Sequence, residues 1–132
     1  MPNLLLEFPT IVDERGRLTF AQEGDHLPFP IKRMFWITDV PQGAERGGHA
    51  HTTCQEVVCC VSGSFLLTVD NGSERREFLL DSPQRAVVIP CGLWCTLTHF
   101  APGTVVVVGA SEAYTTEGYI RTYEDYLAYI RQ

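Results

Sequence analysis

Two histidines separated by one residue, His49 and His51, are the side chains in this sequence best suited to chemistry. In a β-strand, alternate side chains point to the same face, so the two imidazoles would project together. A turn or a bulge at residues 52–53 would bring Glu56 to the same place. Imidazoles transfer protons near neutral pH, and two imidazoles with one carboxylate also form a ligand set for divalent metals. The motif therefore predicts either proton transfer or metal binding.

Glycines surround this motif at the points where the backbone has to turn. Gly43 and the pair Gly47-Gly48 precede the histidines, and Gly63 follows the next predicted strand. Glycine adopts tight backbone conformations that other residues avoid. We therefore expect the histidine-bearing strand to lie between sharp turns.

The elements that must position the histidines are mostly β-strands. Short segments rich in β-branched and aromatic residues alternate with turn residues about every 8–12 positions, which is typical of a β-sandwich or a closed barrel. Asn71-Gly72 is a hairpin turn signal between two of them. The predicted strands are residues 31–40, 56–61, 64–69, 74–80, 85–89, 94–100 and 104–110.

Only the segment after residue 121 has a helical pattern. Thr122 is a plausible N-cap, and Glu124 and Asp125 would lie in the first turn, where negative charge suits the helix dipole. Apolar side chains recur at the spacing of one helix face. They are Tyr123, Tyr126, Leu127 and Ile130.

Size and charge restrict the classes of protein to which this chain could belong. The chain has 132 residues, of which 45% are hydrophobic, and we expect residues 1–132 to form one domain with a substantial core. The net charge of −6 and the absence of a basic run argue against a nucleic acid or an anionic membrane as partner. A few arginines could still converge on a phosphate-bearing small molecule.

The first residues and the cysteines predict a cytoplasmic location. The stretch before Glu7 lacks a basic region, and its apolar segment is too short for a signal peptide. The chain also has no apolar run of about 18 residues, the length that a transmembrane helix needs. The five cysteines are an odd number, which favours reduced thiols.

The spacing around the histidines resembles the first motif of the cupin superfamily. The chain has glycine, five residues, His-x-His, four residues, glutamate, six residues and glycine, from Gly43 to Gly63. The second cupin motif, Pro-x-Gly-x-x-His, is matched by Pro90 to Cys95, with Cys95 at the place of the histidine. The resemblance implies an all-β fold, an antiparallel cupin (jelly-roll) β-barrel with a short C-terminal helix, and these side chains at the barrel mouth.

A closer resemblance is to the nucleotide-sugar 3,4-ketoisomerases. It extends from about Asp13 to about Ile130, and its joint motifs are more specific than His-x-His alone. It implies isomerisation of dTDP-4-keto-6-deoxyglucose to the 3-keto sugar, a dTDP-linked keto-deoxysugar as ligand, and no metal or other cofactor. The segments that carry it include residues 31–33, 39–41, 46–51, 61–64, 81–83, 89–94, 109–114 and 119–123.

This chemistry gives the histidines a role. The C4 carbonyl acidifies the hydrogen on C3, and a base removes it to give an enediol(ate) across C3 and C4. A proton then returns to C4. Histidine suits such transfers near neutral pH, so the resemblance implies that His49 and His51 are the proton-transfer pair, with either as the carbon base. Arg46, three residues before His49, is the expected cation of the pocket.

Three further residues are candidates for contact with the substrate. Arg15 and Arg33 could bind the sugar or the diphosphate. Trp36 lies on the predicted strand that leads to the motif, where it could stack on thymine or the sugar, or pack in the core.

Departures from the family leave two other functions open. Position 56 is usually glutamine and position 95 often histidine in the family, whereas this chain has Glu56 and Cys95, and the tyrosine common near positions 35–36 is absent. If a metal is bound, its ligands would be His49, His51, Glu56 and Cys95. The alternatives are thus a metal-dependent cupin, either a dioxygenase or an isomerase, and a sugar-binding cupin without activity.

The resemblance also implies a homodimer with N-terminal strands exchanged between sheets. The apolar residues at 4–6 are compatible with such packing, because an exposed apolar edge strand needs a cover. The pathway implied is deoxysugar biosynthesis for lipopolysaccharide O-antigens and other bacterial surface glycans.

Overall fold

The computed structural model describes residues 1–132 and is built mainly from β-strands. Its only helix comes at the end. The elements are β1 Leu5–Glu7, β2 Thr10–Asp13, β3 Gly16–Thr19, β4 Arg33–Ile37, β5 Arg46–His51, β6 Glu56–Ser62, β7 Phe65–Asp70, β8 Arg75–Leu80, β9 Arg85–Ile89, β10 Trp94–Thr98, β11 Val105–Ala110, β12 Tyr119–Ile120 and α1 Tyr123–Ile130.

Two five-stranded sheets and one separate hairpin account for all the strands. One sheet has the order β1-β9-β6-β11-β4, and the other has the order β12-β5-β10-β7-β8. Every strand pairing is antiparallel. Strands β2 and β3 pair only with each other. The antiparallel all-β fold with a short C-terminal helix is the fold expected from the sequence.

The main core lies between the two sheets. Phe65, Leu67 and Val69 on β7 alternate along the strand and are fully buried, while Val58 and Val106 contribute from the other sheet. Such alternation places one face of each strand inside and removes the apolar side chains from water. Leu4 belongs to the same core cluster at 2% exposure.

Two glycines in the left-handed region follow Arg46 at the start of the histidine-bearing strand β5. Gly47 has φ 77° and Gly48 has φ 72°, a conformation that side-chain-bearing residues rarely adopt. A β-carbon on Gly47 would come within 3.1 Å of the Cys95 carbonyl oxygen. The pairing of β10 with β5 shifts register next to this point, between Cys95 and Thr96. These features bend β5 as it enters the site.

After His51, the chain crosses from one sheet to the other through a bend at residues 52–53. The turn expected there from the sequence is thus present. The crossing is held by the Thr52 N–H, which donates to the Gly118 carbonyl at 2.9 Å, and by the Gln55 N–H, which donates to Ser111 Oγ at 2.8 Å. Strand β6 then begins at Glu56, close to the end of β5.

The C-terminal segment is docked against the second sheet. Strand β12 pairs with β5, so that Tyr119 lies opposite His51. The α1 helix spans the predicted residues, and the Thr122 hydroxyl accepts from the Asp125 N–H as the N-cap. Tyr126 is fully buried, and its hydroxyl donates to the carbonyls of Gly92 at 2.7 Å and Asp70 at 3.1 Å. The helix therefore anchors β12 beside β5.

The N-terminal apolar residues pack within their own chain. Leu4 is buried in the core and β1 pairs with β9 of its own chain, and β1, as the terminal strand of its sheet, keeps one free edge. Several large apolar side chains on the β2–β3 hairpin and on β4 are exposed, and others are exposed singly elsewhere, such as Leu79 on β8. Separately, the one helix of the structure is too short and too polar to span a lipid bilayer.

Candidate active site

The two histidines lie side by side near the C-terminal end of β5. Their ring centroids are 4.9 Å apart, and the ring planes are inclined by 77°. His49 is half-buried, whereas His51 is only 6% exposed. The i, i+2 spacing places both imidazoles on one face of the strand, as the sequence predicted.

Glu56 joins the pair from the start of β6. Its Oε2 atom lies 3.5 Å from His51 Nε2, and both side chains are 7% exposed. The Nε2 atom of His51 is buried and makes no hydrogen bond. A carboxylate and an imidazole that are both buried at this distance form a polar pair at the site.

Tyr119 and Arg121 form a second layer over the histidines. The Tyr119 ring centroid lies 4.4 Å from that of His51 and 5.5 Å from that of His49. The guanidinium carbon of Arg121 lies 4.4 Å from the Tyr119 ring centroid, within the range of a cation–π contact. We call these two residues the Tyr119–Arg121 wall.

A surface cleft of about 360 Å³ opens at this wall. We refer to it below as the cleft. A volume of that order accommodates a sugar ring, and two arginines face it. Its lining residues are Glu45, Arg46, Gly47, His49, Tyr114, Tyr119 and Arg121.

A smaller inner cavity of about 90 Å³ extends from the cleft into the barrel. Arg46, Gly47 and His49 line both spaces, so the two adjoin at these residues. Glu56 and Cys95 line the inner cavity together with apolar side chains such as Phe35. His49 thus stands at the boundary between solvent and the barrel interior.

The pKa of His49 is lowered from its ordinary value. Burial is the main cause, and the charge of His51 acts in the same direction. Glu56 opposes these effects, while the nearby Arg121 adds to them. His49 is therefore set to be neutral near pH 7, which is the form that accepts a proton.

Cys95 faces His49 across the β10–β5 pairing and is 2% exposed. Burial raises the pKa of its thiol, and the neighbouring Glu56 carboxylate raises it further. A protonated buried thiol is a poor nucleophile. Cys95 accordingly packs as a small apolar residue of the inner cavity.

The donor set could also hold a metal ion. One ligand atom from each of His49, His51 and Glu56 can be chosen so that all three lie within 4.8 Å of one another. Two imidazoles and one carboxylate suit borderline divalent ions such as Zn²⁺. The residues thus fit a metal geometrically, and a bound ion would occupy the imidazoles needed for proton transfer.

The structure brings only some of the predicted substrate contacts to the cleft. Arg46 lines it, as expected. Arg33 is not among the residues that line the cleft; its guanidinium carbon lies 5.8 Å from the Tyr114 ring, and it borders a small recess beside His51. Arg33 Nε also donates to the Glu112 carbonyl at 3.3 Å.

Arg15 and Trp36 do not reach the cleft of their own chain. Arg15 lies on the β2–β3 hairpin and pairs with Asp13 at 2.8 Å. Trp36 is 67% exposed because Phe35 and Ile37, its neighbours on β4, take the inward positions. Trp36 is therefore not a core residue and does not stack over this chain's own histidines.

Tyr114, Tyr119 and Arg121 line the cleft but were not among the predicted site residues. The only sequence signal for them was their place in the segments 109–114 and 119–123 that carry the family resemblance. Strand β12 is two residues long, so no periodic pattern could reveal that it pairs with β5.

Comparison with known proteins agrees with this geometry. The family described as "FdtA: WxcM-like, C-terminal" matches residues 1–131. A curated relative, the TDP-4-oxo-6-deoxy-alpha-D-glucose-3,4-oxoisomerase of Aneurinibacillus thermoaerophilus, is 35% identical over 130 residues. That match covers 98% of this chain and 94% of the relative.

Solved structures of 3,4-ketoisomerases also superpose on this chain. A 3,4-ketoisomerase from Helicobacter canadensis superposes with a TM-score of 0.94 at 29% identity, covering 97% of this chain and 96% of that one. QdtA, a sugar 3,4-ketoisomerase from Thermoanaerobacterium thermosaccharolyticum solved with TDP, superposes at 0.92 with 32% identity and coverages of 96% and 93%. A mutant of QdtA was solved with TDP-4-keto-6-deoxyglucose and superposes at 0.93, with 31% identity and coverages of 96% and 92%. The fold, the paired imidazoles and the match to nearly the whole sequence together show that this chain belongs to the FdtA (WxcM-like, C-terminal) family of cupin-fold sugar-nucleotide 3,4-ketoisomerases.

Proposed function

We propose that this protein is a sugar-nucleotide 3,4-ketoisomerase that converts dTDP-4-keto-6-deoxyglucose into a dTDP-3-keto-6-deoxyhexose. The observation that carries the proposal is the pair of adjacent imidazoles, with centroids 4.9 Å apart, at a cleft large enough for a sugar. The relative from Aneurinibacillus thermoaerophilus is named for this substrate and reaction class.

His49 acts as the carbon base in this reaction. It lines the cleft, whereas His51 lies behind it and is nearly inaccessible. The lowered pKa of His49, caused mainly by burial, keeps its imidazole neutral and able to accept the C3 proton. The sequence left open which histidine takes this role, and the difference in accessibility favours His49.

The steps conserve atoms and electrons within the sugar. His49 takes the proton from C3, the C–H electron pair becomes the C3–C4 double bond, and negative charge moves to O4. A proton then binds O4, the O3 hydroxyl loses its proton, and C4 gains one. The ketone is thereby moved from C4 to C3 with no net oxidation.

His51 and Glu56 support the proton held at the site. An imidazolium forms on His49 during the reaction, and His51 is the adjacent group with which it can share that proton. The Glu56 carboxylate, 3.5 Å from His51 Nε2, stabilises positive charge on the pair. Glu56 therefore offsets part of the unfavourable effect that burial and His51 have on the protonated form of His49.

Arg46 is proposed to bind the diphosphate of the substrate. It is exposed at the start of β5 and lines the cleft. A guanidinium offers several N–H donors to phosphate oxygens. Tyr114, which is 68% exposed at the same cleft, presents a flat ring for the thymine or the sugar.

We also propose that the protein is a homodimer. The β2–β3 hairpin joins neither sheet, and Ile11, Val12 and Leu18 on it are 56–63% exposed. Strand β4 ends its sheet with one free edge and exposes Met34 and Trp36. Exposed apolar strands next to a free sheet edge favour pairing with a second chain, and such pairing could carry Arg15 to the partner's site.

Light scattering of the eluted protein tests the dimer. A mass near twice 14.8 kDa is expected, and Leu18→Asp should shift the protein toward monomer. Leu79→Asp, on the exposed face of β8, is the matched control and should not. A wild-type monomer at micromolar concentration would contradict the proposal.

We also propose a cellular location, from the cysteines, and a pathway, from the substrate. All five cysteines are free thiols, which favours a reducing compartment such as the cytoplasm. The proposed role there is deoxysugar biosynthesis for lipopolysaccharide and other surface glycans. No nucleic acid or membrane partner is proposed, since the chain carries a net charge of −6.

The activity is tested by NMR with dTDP-4-keto-6-deoxyglucose in D₂O, using protein prepared without a histidine tag and treated with a chelator. The expected result is a 3-keto product with deuterium at C4. Absence of conversion would overturn the proposal, and conversion only after metal addition would favour a metal-dependent cupin instead.

A further inference from the structure

The Tyr119–Arg121 wall is the part of the cleft that the function proposed so far leaves without a role. It reaches the site through β12, whose residue Tyr119 pairs with His51 across the sheet. The Tyr119 ring contacts both imidazoles, with centroid distances of 4.4 Å and 5.5 Å. A side chain that packs against both members of the proton-transfer pair restricts their positions.

Arg121 is held in place by that same ring. Its guanidinium carbon is 4.4 Å from the Tyr119 centroid, and its side chain borders the cleft on which His49 also opens. An otherwise exposed arginine would sample many rotamers, and stacking on an aromatic face reduces that freedom. Arg121 thus presents a positive charge, restrained by this stacking, at the cleft that His49 also lines.

The charged and titratable groups around His49 come from several elements. His51 lies on the same strand, Glu56 on β6 and Cys95 on β10, while Tyr119 and Arg121 come from β12 and the residue after it. Arg121 and His49 line the same cleft, and the Tyr119 ring on which Arg121 stacks lies 5.5 Å from the His49 ring. Arg121 is therefore placed to act on the reacting centre.

We propose that Arg121 is a catalytic residue that stabilises the negative charge on the sugar oxygen of the enediolate, and that Tyr119 is the positioning residue that holds it there. The proposal rests on the ketoisomerase function stated above. Arg46 then binds the diphosphate, so the two arginines of the cleft have different tasks. A preorganised cation at a developing oxyanion lowers the barrier because its energy is gained mainly in the transition state.

Steady-state kinetics of Arg121→Gln with dTDP-4-keto-6-deoxyglucose test the role. We expect kcat to fall by about 10²- to 10³-fold, as for loss of an oxyanion donor. We expect KM, and the Kd of TDP alone measured by calorimetry, to change by less than about threefold because the diphosphate contact is retained. Arg121→Lys should recover part of kcat. Arg131→Gln, which removes an exposed arginine after α1, is the control.

Arg46→Gln should give the opposite pattern, with a larger change in KM and in TDP binding than in kcat. If Arg121→Gln keeps kcat within about threefold of wild type, or loses TDP binding in proportion to activity, the catalytic role is wrong. An inactive wild-type protein would instead overturn the ketoisomerase function itself, so the two failures are distinguishable.

Substitutions of Tyr119 test the positioning role. Tyr119→Phe keeps the ring and should retain kcat within about fivefold, whereas Tyr119→Ala removes the surface on which Arg121 rests. If the wall acts as a unit, the loss in kcat for the Tyr119→Ala/Arg121→Gln double variant will be smaller than the product of the single losses. Multiplicative losses would show that Tyr119 does not act through Arg121. Tyr129→Phe on α1 is the matched control.

Discussion

The Nε2 atom of His51 lies 3.5 Å from Oε2 of Glu56, and these buried atoms belong to a set of three donors within 4.8 Å. The same donors can serve proton transfer or hold a metal, but not both at once. This relationship makes the response to metal ions informative about the mechanism.

We predict that added Zn²⁺ inhibits the isomerase and that removal of metal by a chelator preserves its activity. A zinc ion on His49 and His51 would occupy the lone pairs needed to accept a proton. In Glu56→Gln, inhibition should weaken by at least about tenfold, or about 1.4 kcal/mol of metal binding free energy. Glutamine keeps the volume and an acceptor oxygen but not the negative charge, so the untreated variant should have a lower kcat that is still measurable, and inhibition is scored relative to that value.

Zinc titrations of activity, together with metal analysis of the purified protein, measure this effect. Glu77→Gln is the matched control because Glu77 is exposed on β8, away from the histidines. Activation by zinc in place of inhibition would contradict the prediction.

Replacement of either histidine should abolish most of the turnover. We expect His49→Ala and His51→Ala each to lower kcat by about 10²- to 10⁴-fold, the usual contribution of a positioned acid or base. Circular dichroism should show an intact fold in both. His51→Ala should be the less stable of the two, because it leaves Glu56 buried without its imidazole neighbour.

His99→Ala provides the comparison, since His99 is exposed after the end of β10. Near-wild-type turnover by both active-site variants would remove the basis for the proton-transfer assignment.

The pH profile of kcat/KM should reflect the lowered pKa of His49. Only neutral imidazole accepts the C3 proton, so activity is lost as the pH falls through the pKa of His49 in the free enzyme. Burial and the charge of His51 lower this pKa below 6.5, and the acid midpoint should therefore lie below pH 6.5.

The charge of Arg121 acts in the same direction on His49, so Arg121→Gln should move the acid midpoint upward. Rates measured from pH 5 to 8 with the wild type and this variant provide the test. A wild-type midpoint well above 6.5 would be inconsistent with neutral His49 as the base.

The Asp70 carboxylate should add to the free energy of unfolding near neutral pH and lose this contribution in acid. Burial alone would raise the pKa of its carboxyl group, but hydrogen bonds from the Gly72 N–H, the Tyr123 hydroxyl and Arg75 outweigh that effect and lower it below 3.8. A lowered folded-state pKa gives stability that is fully present above the unfolded-state value and is lost as pH falls through the folded-state value.

Asp70→Asn should therefore reduce the free energy of unfolding at pH 7 by about 1–3 kcal/mol, and the difference from wild type should shrink near pH 3. Urea denaturation at both pH values measures it. Asp81→Asn, at an exposed carboxylate before β9, should cost less than about 0.5 kcal/mol. An equal loss at pH 3 and pH 7 would point to packing rather than charge.

Titration with a thiol reagent should show that one cysteine reacts faster than the other four. Cys91 is exposed, whereas Cys54, Cys59, Cys60 and Cys95 are buried. Burial raises the pKa of Cys59 to about 11 and also raises that of Cys95, so neither is a thiolate at pH 8. A disulfide reagent should modify one thiol rapidly in the native protein and all five after denaturation. Rapid reaction of Cys91→Ser would disagree with this packing.

Sequence patterns were sufficient for the features that depend on local periodicity. The i, i+2 spacing of His49 and His51 places both on one face wherever a strand forms, and the helix from Tyr123 to Ile130 follows from its apolar spacing and its Thr122 cap. The bend that brings Glu56 beside His51 was also anticipated, because the motif spacing leaves room for a turn.

The features that were missed depend on contacts between distant segments. Residues 34–37 are all apolar, so alternation could not show that Phe35 and Ile37 point inward and Trp36 outward. Tyr119 reaches the histidines only because two residues of β12 pair with β5, and a two-residue strand has no period of its own. The environment of Arg15 depends on the packing of the β2–β3 hairpin, whose strands pair only with each other.

The connection between β11 and β12 is exposed over residues 113–118, whereas Tyr126 beyond it is fully buried against the carbonyls of Gly92 and Asp70. The backbone could therefore be divided in this connection into a fragment that carries the base and a fragment that carries the cation. Because the second fragment retains its own buried anchor, the two pieces should reassociate in trans. The protein could therefore be used as a split enzyme, in which isomerase activity appears only when the two fragments associate.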